Sequence, residues 1–243
     1  MGVLFDLGDT VLHVERADAA AGNRRLLEFA TNKPTVTVEQ IQAAADEIYA
    51  DIVKAQRQTQ TEFPAENFDR LLYESLGISL SITPAEMARE FHRAAITHNP
   101  APGIEAVLET LKSHGIKAGI VSNTMFTGDI LWEELVAHNL AHYFEFVVAS
   151  SDFGFRKPHP RIFMIAAAKM RLRPEEIWFV GDKIDFDIAG AVKSGMFPVW
   201  YNPSGTPRTG DYECLEIKHW DAFRSRIDSL LAPFPRKETG DGA

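Results

Sequence analysis

The chain has 243 residues, 45% of them hydrophobic and 24% charged, and a formal net charge of −9. This length holds one large or two modest domains whose core needs no covalent staples. The acidic balance excludes a broad surface for nucleic acid or anionic membrane, which clustered Lys and Arg would create. The lone cysteine, Cys214, excludes an internal disulfide or a CxxC zinc site and is expected as a half-buried apolar residue.

The chain opens on the short apolar run Val3-Leu4-Phe5, with no basic stretch and long apolar segment before it. No window reaches the ~18 apolar residues of a membrane span. A cytoplasmic location is therefore expected, with no membrane and no nucleic acid among the partners. Residues 2–7 read as a buried strand followed by a Gly-containing turn. From about residue 14 to 99 the pattern is almost wholly helical. Ile41, Ala44, Ile48, Ile52 and Ala55 form one stripe, and Phe68, Leu71, Leu72 and Leu76 form another that ends at Gly77. Thr83-Pro84-Ala85-Glu86 is a capping box with proline at the first helical position, and Met87, Phe91 and Ala94 continue its buried face.

After the turn-rich Asn99-Pro100-Ala101-Pro102-Gly103 the period changes. Helices are predicted at 103–114, about 127–138, about 160–171 and about 186–194. Strands are predicted at Lys117–Val121, Phe144–Ala149, Ile177–Val180 and Phe197–Tyr201. This alternation predicts an α/β fold with a doubly wound parallel sheet. The expected division is a core of residues 1–13 and 100–232, a helical insertion at 14–99, and a disordered tail at 233–243, rich in charge and poor in apolar residues. His138 and His142 stand four apart, but Asn139 between them predicts a helix end and a C-terminal role for His138. Phe63, Phe68 and Tyr73 are expected to pack the insertion.

Ligands of open α/β sheets sit at the carboxyl ends of the strands, and Asp6, Ser122 and Asp182 each fall just after a predicted strand. Asp6, in Phe5-Asp6-Leu7-Gly8-Asp9-Thr10, is a carboxylate that can attack phosphorus, and the hydroxyl of Thr10, four residues on, can bond backbone in the turn. The hydroxyl of Ser122 and the backbone N–H groups after it, including that of Asn123, can bind phosphate oxygens. Lys157, stiffened by Pro158 and Pro160, can neutralise the nucleophile and an incoming phosphate. Asp182 is placed to ligate a hard cation such as Mg²⁺, and Asp187 to orient Lys157 or a metal-bound water.

Together these four segments resemble the haloacid dehalogenase superfamily, in the branch with a helical cap inserted after the first motif. The resemblance spans about residues 2–202. It implies a Rossmann-like core, an aspartyl-phosphate intermediate on Asp6, and Mg²⁺ held by Asp6, the backbone carbonyl of Gly8 and Asp182. It also implies phosphate contacts from Thr10, Ser122, Asn123 and Lys157. The expected substrate is a small phosphorylated metabolite, and the expected assembly a monomer or homodimer.

Position 8 departs from the family's pattern, which resembles Asp-x-Asp-x-Thr. Gly8 keeps a carbonyl for the cation but lacks the side chain that protonates the leaving group, help worth ~10²–10⁴-fold. Slow turnover of alkyl phosphates is therefore expected. A metal-independent haloacid dehalogenase and a non-catalytic phospho-ligand binder on the same scaffold remain as alternatives. Phosphonate hydrolysis would need a cap lysine, and Lys33 and Lys54 are the only two there.

Overall fold

The computed structural model describes residues 1–32 and 35–227; the tail expected at 233–243 and Lys33 lie outside the described residues. In chain order the elements are β1 (Gly2–Phe5), β2 (Leu12–Ala17), α1 (Ala19–Leu27), α2 (Val38–Thr59), α3 (Ala65–Ser75), α4 (Pro84–Ala95) and β3 (Ile96–Pro100). They continue as α5 (Ile104–Ser113), β4 (Lys117–Ser122), α6 (Gly128–Ala137), β5 (Val147–Ala149), α7 (Ser150–Phe153), α8 (Pro160–Met170) and β6 (Ile177–Gly181). The last are α9 (Ala189–Lys193), β7 (Phe197–Tyr201), β8 (Leu215–Ile217) and α10 (Trp220–Arg224).

Six parallel strands form one sheet in the order β5-β4-β1-β6-β7-β8. Helices on its faces make it the predicted doubly wound α/β core. β1 lies at its centre because it can be buried on both sides: Val3, Leu4 and Phe5 are fully enclosed. Phe5 packs in edge-on or tilted contact with Phe144, Trp220 and Phe223. Ile120 and Val180 flank Phe5 in register, so β4, β1 and β6 end side by side.

The insertion carries helices α1–α4, as its periodicity predicts. Thr83 caps α4 and its N–H donates to Glu86 Oε2 at 2.8 Å. Gly77 takes the left-handed φ of +67° that ends the α3 segment. The helical reading of 14–99 fails at both ends. β2 and β3 pair antiparallel, with Leu12 opposite Pro100 and Ala17 opposite Ile96. The exit and return of the insertion are thus a two-stranded ribbon, which satisfies backbone groups that two loose linkers would leave to solvent. Its residues are largely exposed, Val14 at 47%, so no apolar alternation marks it in sequence. The short β8 and α10 were likewise not predicted, and the strand expected at Phe144–Ala149 begins only at Val147.

Phe68 and Tyr73 pack the insertion's core as expected, and Tyr73 Oη donates to Asn23 Oδ1 at 3.1 Å. Cys214 is half-buried against Ile184, Ile188 and Trp200. Asp69 on α3 is 4% exposed and its Oδ2 has no hydrogen-bond partner. Burial pushes its carboxyl up to about 7. The folded state therefore holds a proton that the unfolded state, with a pKa near ~3.9, releases. Stability from this group is present below the unfolded pKa and is lost as pH rises through the folded one. Asp69→Asn removes that loss. At pH 8 the expected gain is on the order of 2–4 kcal/mol, or roughly 5–10 °C in melting temperature. The gain shrinks as pH is lowered toward 5. Thermal unfolding of both proteins across pH 5–8 checks it, and an equal shift at every pH contradicts it.

Candidate active site

Asp6 follows β1 directly and its N–H donates to Val180 O at 2.8 Å, which ties the residue to the end of β6. Ser122 ends β4 and Asp182 follows β6. The three strand-end residues therefore lie on adjacent strands, about 4.8 Å apart from one strand to the next. With Gly8, Asn123, Lys157 and Asp187 they line one cavity of about 230 Å³.

Lys157 arrives from the loop between α7 and α8. It is 3% exposed, and its ammonium donates to Asp6 Oδ1 and, at 2.9 Å, to Val121 O; Asp187 Oδ1 lies 2.7 Å away. The Phe179 ring lies 5.5 Å from the ammonium. Asn123 clasps this loop through both side-chain atoms: Nδ2 donates to Lys157 O at 3.0 Å, and Oδ1 accepts from Lys157 N at 2.7 Å. The side chain of Asn123 therefore positions Lys157, and only its backbone is left for a ligand.

A second clamp comes from the insertion. Glu62 N donates to Gly154 O at 3.0 Å and Arg156 N to Gln60 O at 2.9 Å. The Glu62 carboxylate, fully enclosed, takes hydrogen bonds from Arg156 and, at 2.5 Å, from Ser150 Oγ. Arg156 also lines the cavity, so the insertion reaches the site through this pair.

Asp187 sits on the turn Ile184–Ile188. Its Oδ2 accepts from Lys183 N at 2.9 Å, and its own N–H donates to Lys183 O at 2.8 Å. A Cβ on Gly181 would stand 2.4 Å from the Asp187 carboxyl carbon, so only glycine allows this approach. Asp187 thus lies beside Lys157.

Thr10 differs from the expectation. It is fully buried, and its hydroxyl donates not to the turn backbone or toward a ligand but to Asp6 Oδ2, at 3.3 Å. It holds the Asp6 carboxylate in place. Asp9, next to Gly8, has a left-handed φ of 58°. Its carboxylate lies 3.8 Å from His13 Nδ1 and 3.9 Å from Lys183 Nζ. His13 faces an adjoining cavity of about 520 Å³, which shares Asp9, Asp182, Lys183 and Phe186 with the first. Lys54 is exposed on α2 and lines neither cavity.

Burial works against the charge on Lys157, but Asp187 and Asp6 outweigh it and hold the ammonium above its ordinary range. Burial pushes the Asp187 carboxyl up, with Asp6 adding to the push and Lys157 opposing it. Burial raises Asp182 too, Lys183 opposing and Asp6 and Asp9 reinforcing. The site therefore crowds carboxylates whose mutual repulsion a cation would relieve. Asp6, Asp182 and Asp187 each offer an oxygen within 4.8 Å of the others. Lys183 takes Asp182 Oδ2, whereas Oδ1 is buried without a hydrogen-bond partner. That orphaned oxygen beside Asp6 and the Gly8 backbone fits a hard divalent cation.

Three contacts escaped sequence reasoning. Lys183 on Asp182 and Glu62 on Arg156 are ordinary charged residues in sequence. Trp200, buried on β7, also donates from Nε1 to Asp182 O at 3.0 Å and fixes that loop.

A family model for haloacid dehalogenase-like hydrolases matches residues 3–200. The chain belongs to that family. A glyceraldehyde 3-phosphate phosphatase of Methanopyrus kandleri is 28% identical over 223 residues, 90% of this chain and 88% of that protein. A phosphoglycolate phosphatase of Shigella boydii is 27% identical, covering 95% of this chain and 90% of its own. Among solved structures, a 2-haloacid dehalogenase of Pseudomonas syringae superposes with a TM-score of 0.66 at 23% identity, over 94% of this chain and 96% of that one. The fold class expected from the sequence, with an inserted helical cap, is the family's fold. Among the described residues, no helix is long and apolar enough to cross a membrane.

Proposed function

We propose that this hydrolase cleaves a small phosphorylated metabolite with the aid of Mg²⁺, by way of an aspartyl phosphate on Asp6. One observation carries the reading: a lysine ammonium bridges Asp6 and Asp187 beside the partnerless, buried oxygen of Asp182. In this reading Asp6, Asp182 and the Gly8 carbonyl hold the cation, which supplies neutralising charge at the phosphate oxygens. Asp6 attacks phosphorus while Lys157 offsets the charge that two anions bring together. As the Asp6–phosphorus bond forms, the P–O bond to the substrate alcohol breaks and the departing alkoxide takes a proton from water; Ser122 and the Asn123 backbone hydrogen-bond the non-bridging oxygens, and a second water then cleaves the aspartyl phosphate to free phosphate and Asp6. Thr10 and Asp187 hold the nucleophile and the lysine, rather than touching substrate. The relatives named as phosphatases act on short, charged molecules by their names, and a cavity of about 230 Å³ suits a substrate of that size. The segment 14–99, with helices spanning residues 19–95, acts as the cap and contributes to substrate choice through the Glu62–Arg156 contact.

Small phosphorylated metabolites, an aryl phosphate and 2-chloropropionate, each offered with Mg²⁺ and with excess chelator, test the reading. Phosphate release that needs Mg²⁺ is the expected result. Halide release that persists in chelator overturns it in favour of attack on carbon. Saturable binding of phosphate analogues without any turnover overturns it in favour of a binding protein.

A further inference from the structure

Away from the carboxylate cavity, the seam between cap and core gathers a second cluster of donors. His92 lies on α4, His98 on the return strand β3, Glu134 on the core helix α6, and His138 one turn beyond Glu134. His92 Nδ1 is 3.5 Å from Glu134 Oε1, His98 Nδ1 is 3.2 Å from Oε2, and His138 Nε2 is 3.8 Å from Oε2. One ligand atom from each of His92, His98 and Glu134 lies within 4.8 Å of the others. None of the four lines either cavity at the Asp6 site.

We infer that His92, His98, Glu134 and His138 form a binding site for a divalent transition metal of the Zn²⁺ type, which fastens the cap to the core. Three imidazoles and one carboxylate are the donor set that Zn²⁺ takes, and a poor one for Mg²⁺ or Ca²⁺, which prefer all-oxygen shells. Metal–ligand bonds of ~2.0–2.1 Å in a tetrahedron separate neighbouring ligand atoms by about 3.3–3.4 Å. The three Glu134–His distances bracket that value, and His92, His98 and Glu134 already offer atoms within 4.8 Å of one another, which leaves His138, 3.8 Å from Oε2, as the ligand that moves in from the open side. Exposure of the side chains rises in order, His92 3%, His98 11%, Glu134 16% and His138 23%, so the cluster is closed at one end and open at the other.

The rings are also held in place. His92 stacks on His98 with centroids 6.0 Å apart and meets Phe126 edge-on at 4.6 Å. The nearest other charges are already paired across the same seam. Arg89 Nε meets Glu133 Oε1 at 2.9 Å and Arg93 Nη2 meets Glu133 Oε2 at 3.0 Å. The rival account is a metal-free network in which one carboxylate serves three histidines.

The test uses full-length protein without an affinity histidine tag, freed of metal by chelator, and carrying Asp182→Asn to weaken metal binding at the Asp6 cavity. The probes are Zn²⁺ and Co²⁺ alone. One Zn²⁺ per chain should survive desalting, raise the melting temperature, and bind at least about 10-fold more weakly in His98→Ala and in Glu134→Gln, the range seen when metal-site contacts are lost. Co²⁺ should give the visible absorption of a tetrahedral site. Zn²⁺ lost on desalting, or held equally by both variants, overturns the inference. Should either variant fail to fold by circular dichroism, the Co²⁺ spectrum of the parent decides, and weak octahedral bands overturn it. These outcomes are independent of whether the Asp6 site hydrolyses phosphate.

Discussion

Asp6→Asn is expected to abolish turnover, with kcat falling by about 10⁴-fold or more, as when a covalent catalyst loses its nucleophile. Asparagine has the shape of aspartate, so the loss is chemical. Its amide oxygen can still accept from Thr10 or Lys157, and Lys157 keeps Asp187 at 2.7 Å and the Val121 carbonyl at 2.9 Å. The lysine is therefore not stranded as an unpaired buried charge, a situation that would cost about 3–5 kcal/mol. Folding should survive, and circular dichroism and thermal unfolding check that. What the variant lacks is an oxygen able to attack phosphorus. Acid-quenched wild-type protein should carry label from a substrate labelled in its phosphoryl group, and Asp6→Asn none. Turnover or label retained by the variant would show that the reacting group lies elsewhere.

The parts of this site that sequence revealed are those whose position follows from local pattern. Asp6, Ser122 and Asp182 each end or follow a short, largely apolar strand, and parallel strands that pair side by side bring such ends together. Lys157 stood out through the prolines behind it. The parts that sequence did not reveal depend on contacts between distant segments. Thr10 looked like a turn residue or a phosphate contact until the depth of its burial turned its hydroxyl toward Asp6. Glu62 reaches Arg156 across 94 residues, and the tertiary partner alone distinguishes it from a solvated glutamate. The ribbon β2–β3 was hidden because exposed strands lack apolar alternation. The seam histidines belong to separate elements: His138 stands at the end of α6, as the Asn139 break predicts, and faces Glu134, four residues earlier.

Position 8 offers a gain of function. A Cβ built on Gly8 meets no atom within 4 Å, and Gly8 is not among the residues with a left-handed backbone. A side chain can therefore start there without a Cβ clash or a strained backbone, and the glycine is not a demand of the turn. Gly8→Asp is expected to raise kcat on an alkyl phosphate by about 10²-fold, the lower end of what a positioned acid contributes. An aryl phosphate, whose leaving group departs without a proton, should change little. The ratio of the two rates reads the effect and cancels any change in protein concentration or folding. Against the gain stands a new carboxylate in a cavity already lined by Asp6, Asp9 and Asp182, so the variant should also demand Mg²⁺ more strictly. Asp9 is the competing candidate for the missing acid. Its φ of 58° suits asparagine as well, so Asp9→Asn keeps the backbone and removes only the proton. If Asp9 already supplies the acid, Asp9→Asn slows the alkyl ester and spares the aryl one, while Gly8→Asp adds nothing. If it does not, Asp9→Asn leaves that ratio where it was and Gly8→Asp raises it, because the room beside Gly8 is then the place where the proton donor is wanting.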